Sequence, residues 1–127
     1  MKVLFEVTGI VVRGKGEGRA LGFPTANVPC ARAFPSGIYR GEVLWGKTMY
    51  PAAIYKEENK EVIEAHLLDF TADIYGETLT IAAHEKIRDA AAFRTRDELI
   101  AAIQKDIAYI RNCKVCAKVK PFCKTKV

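Results

Sequence analysis

With 127 residues, half of them hydrophobic and 28% charged, the chain has the size and balance of one soluble globular domain and not those of a disordered or fibrous protein. No apolar run approaches the roughly 18 to 20 residues that cross a bilayer as a helix, and Glu6 interrupts the N-terminal MKVLFEVTGIVV, so a cytoplasmic location is expected. The net charge of +5 argues against a nucleic-acid partner, because five of the 20 basic residues lie in 113–127 and the rest of the chain balances 15 basic with 15 acidic residues.

From the N-terminus, the alternation of Val3, Phe5 and Val7 with Lys2, Leu4, Glu6 and Thr8 predicts a half-buried strand over about 3–12, ended by Gly14. Gly14-Lys15-Gly16-Glu17-Gly18-Arg19 follows. Alternating glycines let a backbone take positive φ and turn its N–H groups toward phosphate oxygens. The segment lacks the Gly-Lys-Ser/Thr ending of a Walker loop, and no crossover helix is expected after it, so the glycines alone fit a flexible turn equally well.

In LGFPTAN, residues 21–27, Pro24 fixes its own φ and restricts Phe23. Two residues apart on an extended segment, the Thr25 hydroxyl and the Asn27 carboxamide point to one side. Their neutral oxygens suit Mg²⁺, which keeps waters and phosphate oxygens as its other ligands. A backbone-satisfied threonine and a turn-capping asparagine fit the same residues.

Ile38–Trp45 and Thr48–Tyr55, separated by Gly46-Lys47, predict a hairpin. A further strand is predicted over Val62–Asp69, with Glu64 and His66 on one face and Ile63, Ala65 and Leu67 on the other, and another over Leu79–Ile87. A carboxylate amid apolar residues in mid-strand is costly unless its face opens on a polar site, where it can act as a general base. His66 and His84 read as packed or hydrogen-bonded residues. Short, evenly spaced strands favour an antiparallel barrel or sandwich.

Thr95-Arg96-Asp97-Glu98 has capping-box spacing, and Leu99, Ile103, Ile107 and Ile110 continue it as the apolar stripe of a helix to about Asn112. The tail's Cys113, Cys116 and Cys123 give three thiols, one ligand short of a four-ligand zinc site unless Cys30 or a second subunit supplies the fourth; reduced thiols are expected.

GKGEGRALGFPTANV, SGIYRGEV, IEAHLLDFTADIYGETLTI and IRDAAAFRTRDELIAAIQKDI, in that order over about residues 7–111, together resemble the riboflavin kinase (flavokinase) domain of bacterial and eukaryotic type. The resemblance implies a mainly β fold: a six-stranded antiparallel Greek-key β-barrel with a C-terminal α-helix over 1–112, followed by the Lys/Cys-rich tail 113–127. It implies transfer of the γ-phosphate of ATP to the 5′-hydroxyl of riboflavin, giving FMN. By position, Thr25 and Asn27 would hold the metal, Mg²⁺ with Mn²⁺ or Zn²⁺ as other options, and the phosphates. Gly14, Lys15, Gly16, Gly18 and Arg19 would form the flap over the nucleotide. Glu64 would be the base, and the segment around Arg88 and Phe93 would close over the flavin.

Two departures stand out. The family's Asn-Ile-Gly and Arg-Pro-Thr-like elements are reduced here to Ala52–Lys60, which bears on how the nucleotide base is gripped, and an acidic residue common two positions after the flap arginine is Ala90. A stand-alone, monomeric, FMN-forming enzyme without an adenylyltransferase domain is expected. The rival readings are a barrel that holds flavin or nucleotide without turnover and a small nucleic-acid-binding barrel using the lysine tail.

Overall fold

Aromatic, β-branched and small residues at alternate positions decide which side of each strand turns inward. The computed structural model describes residues 3–14 and 16–113. In chain order it contains β1 (Phe5–Ile10), α1 (Glu17–Leu21), β2 (Ala26–Pro29), β3 (Gly37–Trp45), β4 (Thr48–Lys56), β5 (Val62–Leu67), β6 (Thr78–Arg88) and α2 (Arg96–Arg111). Phe5 and Val7, Val28, Tyr39 and Val43, Ile54, Ile63 and Ala65, and Leu79 and Ile81 meet in one buried cluster. Each large apolar side chain removed from water there contributes about 1.5–3 kcal/mol.

The six strands form one sheet in the order β1-β6-β3-β4-β5-β2, with every pairing antiparallel. The sheet curls until its edges meet. Val12, just past β1, bridges Asn27 of β2, and its N–H donates to the Asn27 carbonyl at 2.8 Å. The outcome is the expected Greek-key barrel, nearly closed. Closure requires β3 to lie tight on β6: a Cβ at Gly41 would collide with the Ala82 carbonyl, and the β3–β6 register shifts between Arg40 and Gly41.

The β3–β4 hairpin and the site of its turn match expectation. β1 is shorter than predicted, because the chain leaves the β6 ladder after Ile10 to reach β2. β5 stops at Leu67, before Asp69 takes a φ of 55°. β2 is too short for alternation to reveal, and the helical turn α1 sits inside the glycine-rich segment where a flexible turn was expected.

α2 begins and ends where its sequence signals lie. The Thr95 hydroxyl accepts the Glu98 N–H at 3.1 Å, but the Glu98 carboxylate reaches the N–H of Arg94 instead of that of Thr95. Ile110 packs with Ala53 and Leu68, and Ile107, Ile87 and Tyr55 flank them, which docks α2 on the outside of the barrel. Among the described residues no helix is long and apolar enough to cross a membrane.

Candidate active site

One cross-strand row runs over the barrel's outer face. Asn27 of β2 stands opposite Glu64 of β5, Glu64 opposite Tyr55 of β4, Tyr55 opposite Ile38 of β3, and Ile38 opposite Arg88 of β6. Their chain neighbours Val28, Ile63, Ile54 and Tyr39 belong to the core, so strand periodicity turns the row outward. Residues far apart in sequence thereby share one surface.

At the Asn27 end lies a cavity of about 350 Å³ whose lining includes Gly14, Gly16, Thr25, Asn27, Lys60 and Glu64. The Thr25 hydroxyl donates to Glu64 Oε1 at 3.3 Å, a long contact for an O–H···O bond. Asn27 is buried, and its carboxamide lies flat against Gly14, where an added Cβ would fall 2.5 Å from Nδ2 and 3.0 Å from Oδ1. Gly14 is therefore needed to make room for Asn27.

Positive φ explains only one of the three glycines: Gly16, at 77°, turns the chain into α1, whereas Gly18 is helical. Arg19, in the last turn of α1, lines a neighbouring cavity with Pro24, Thr25 and Tyr75. Lys15 lies outside the described residues, as do Cys116 and Cys123 of the suggested zinc cluster.

At the Arg88 end, a second cavity of about 220 Å³ is bounded by Phe23, Ile38, Tyr55, Arg88, Phe93, Leu99 and Ile103, and also by Thr25 and Glu64. Phe93 lies beside the Arg88 guanidinium, 5.7 Å from ring centroid to carbon. Arg88 in turn is held by the buried Asp106 of α2 through two bonds, Nε to Oδ1 at 3.0 Å and Nη2 to Oδ2 at 2.8 Å. The fork geometry fixes the guanidinium plane. That hydrogen bonding raises the arginine's already high pKa against the opposing effect of burial.

Sequence reasoning passed over Asp106 and Tyr55. Asp106 falls between Ile103, Ile107 and Ile110 at helical spacing, and a carboxylate in an apolar stripe is the signal that could have found it.

The Phe23–Thr25 entry is anchored on β5. His66 Nδ1 lies 2.8 Å from the Pro24 carbonyl, and the imidazole meets the Phe23 ring edge-on at 5.8 Å. His66 is thus a hydrogen-bonded packing residue, as is His84, whose Nε2 lies 2.9 Å from Glu42 Oε1. Arg96 Nη2 donates to the Ala20 carbonyl at 2.8 Å and ties α1 to the start of α2.

A family model described as Flavokinase: Riboflavin kinase matches residues 1–114. The chain belongs to the riboflavin kinase family. Among curated relatives, the bifunctional riboflavin kinase/FMN adenylyltransferase of Escherichia coli (strain K12) is 38% identical over 111 residues, which cover 80% of this chain and 36% of that protein. The protein of the same name from Bacillus subtilis (strain 168) is 34% identical over 124 residues, covering 85% of this chain and 39% of that one. The chain thus spans little more than a third of the length of these relatives.

Among solved structures, a Streptococcus pneumoniae protein named a macrolide-efflux protein superposes with a TM-score of 0.76 at 31% identity, over 85% of this chain and 38% of that one. Riboflavin kinase from Trypanosoma brucei superposes with a TM-score of 0.67 over 84% of this chain and 74% of that one; at 23% identity this likeness shows the shared fold. In this riboflavin kinase family member, the positions that carry the sequence resemblance, Thr25, Asn27, Glu64, Arg88 and Phe93, line two adjoining cavities.

Proposed function

We propose that the chain is a riboflavin kinase that transfers the γ-phosphate of ATP to the 5′-hydroxyl of riboflavin, forming FMN and ADP. The observation that carries this reading is that Thr25 and Glu64, in hydrogen-bonding contact, are the two described residues lining both cavities. The triphosphate would enter beside Gly14, Gly16 and Asn27, and the flavin beside Phe93 and Arg88, so that the reacting ends meet at Glu64. Membership of the family supports the same assignment.

The Thr25 hydroxyl directs its proton to Glu64 and leaves its lone pairs for another partner. With the Asn27 carboxamide this gives neutral oxygen donors next to a carboxylate, a set suited to Mg²⁺. Thr25 and Asn27 would hold the ion. When bound, it neutralises charge on the phosphate oxygens. Glu64 orients the 5′-hydroxyl and accepts its proton while the new O–P bond forms and the bond from the γ-phosphorus to the ADP oxygen breaks. The N–H groups of the Gly14–Arg19 flap, Lys15 included, would cradle the phosphates.

Asp106 holds Arg88, and with it Phe93, over the flavin. The flavin-side cavity of about 220 Å³ is smaller than the roughly 300 Å³ or more of ordinary ligand pockets. Admission of the three-ring substrate therefore involves an outward movement of residues 89–93, beyond the Arg88–Asp106 anchor. We assign the kinase to residues 1–112 acting as a monomer in the cytoplasm, with 113–127 dispensable for turnover.

The experiment is incubation of the purified chain with riboflavin, Mg²⁺ and ATP, in parallel with other nucleoside triphosphates and with Mn²⁺ or Zn²⁺, followed by chromatography of the flavins. FMN formation with ATP is expected. Flavin binding without FMN under every condition would favour a binding module instead.

A further inference from the structure

The middle of the cross-strand row carries a group that the proposed chemistry does not use. Tyr55 lies between Glu64 and Ile38 and is one of the residues that line the flavin-side cavity. Its hydroxyl is buried and meets no hydrogen-bonding partner, the one buried side-chain polar atom in that condition among the described residues. Burial first, then the nearby Asp106 carboxylate, raises its pKa far above the ordinary phenol value, so the hydroxyl keeps its proton and remains a donor. Phenylalanine would pack against Ala53, Leu68 and Ile110 with no such orphan. An unpaired buried hydroxyl has given up its water contacts without replacement. A ligand oxygen that reaches the hydroxyl as residues 89–93 move outward would remove that cost.

Resting on the kinase reading, we infer that Tyr55 is a specificity-determining residue for the flavin, donating a hydrogen bond from its hydroxyl to an uncharged oxygen of bound riboflavin, either a ring carbonyl or a ribityl hydroxyl. The position suits both sources, since the residue borders Glu64, where the ribityl end is placed, and Arg88 beside Phe93, where the ring is placed.

The test is Tyr55→Phe in the full chain. The expected result is a riboflavin KM raised about ten-fold, with kcat and the KM for MgATP each within about two-fold of wild type and a melting temperature of the ligand-free protein unchanged or higher. Flavin fluorescence titration with riboflavin and with lumiflavin, which lacks the ribityl chain, separates the two sources. Equal weakening of both ligands assigns the bond to a ring carbonyl, and weakening of riboflavin alone assigns it to the ribityl chain. An unaltered riboflavin KM and affinity in an otherwise active enzyme overturns this inference and leaves the kinase reading intact. A lowered ligand-free melting temperature makes the hydroxyl structural and overturns it as well. A wild-type chain that neither binds nor phosphorylates riboflavin removes both.

Discussion

Thr25 and Glu64 touch at the seam between two cavities, hydroxyl to carboxylate at 3.3 Å. Their contact gives each a separable part in the proposed transfer. Glu64→Gln keeps the shape and the hydrogen bond to Thr25 but cannot take the proton. We expect kcat to fall about 100-fold or more, with the riboflavin KM within a few-fold of wild type, measured by steady-state FMN formation. Equal losses in flavin binding and turnover would mark Glu64 as a structural residue.

Asn27 depends on the glycine beside it. A methyl at position 14 would displace the carboxamide, so Gly14→Ala should reproduce Asn27→Ala. Both should raise the Mg²⁺ concentration needed for half-maximal rate by about ten-fold, and added Mg²⁺ should partly restore the rate. A Gly14→Ala enzyme with the wild-type metal requirement would show that the carboxamide position does not matter.

Asp106 acts through Arg88. Its carboxylate is buried while the arginine side chain is 26% exposed, so Asp106→Ala leaves a half-buried cation without its main partner. This should destabilise the fold by about 2–3 kcal/mol, below the range for fully buried pairs, read by urea denaturation. It should also raise the flavin KM. Asp106→Asn, which can still accept from Arg88, should recover part of both effects.

Acid sensitivity should arise partly where the β3–β6 pairing meets α2. Arg40 Nε donates to Glu85 Oε1 at 2.9 Å, and Tyr109 donates to the same carboxylate. Led by the Arg40 hydrogen bond, these lower the Glu85 pKa below its ordinary 4.5 against the opposing effect of burial. A depressed native pKa means that the native state binds fewer protons, so the stabilisation is present above pH 4.5 and is lost as pH falls through the lower native value. The melting temperature of Glu85→Gln should therefore lie below wild type at pH 7, with the gap closing in acid. Parallel curves would contradict this linkage.

Deletion of residues 113–127 should leave FMN formation within about two-fold of the full chain. Loss of activity on this truncation would assign the lysines and cysteines of the tail a part in catalysis.

The sequence exposed some elements and hid others for physical reasons. The hairpin, β5 and α2 were legible because alternation, a two-residue turn and a capping box are local signals. β2 was not, since four residues hold too little alternation. α1 was hidden because glycine disfavours helix by about 1 kcal/mol per residue. Thr25, Asn27 and Glu64 stand out in the sequence as candidates through residue chemistry and the Pro-Thr-Ala-Asn resemblance. Their convergence depends on a β2–β5 register that no short window contains. Asp106 and Tyr55 escaped for the same reason, as each gains its meaning from a partner on another element.

The most direct measurement is a crystal structure of the chain soaked with MgADP and FMN. We expect a metal about 2.0–2.1 Å from Thr25 Oγ1 and the Asn27 side-chain oxygen, and a Glu64 carboxylate within about 3.2 Å of the flavin 5′ oxygen. A nucleotide bound away from Gly14 and Asn27, or a ribityl end out of reach of Glu64, would contradict it.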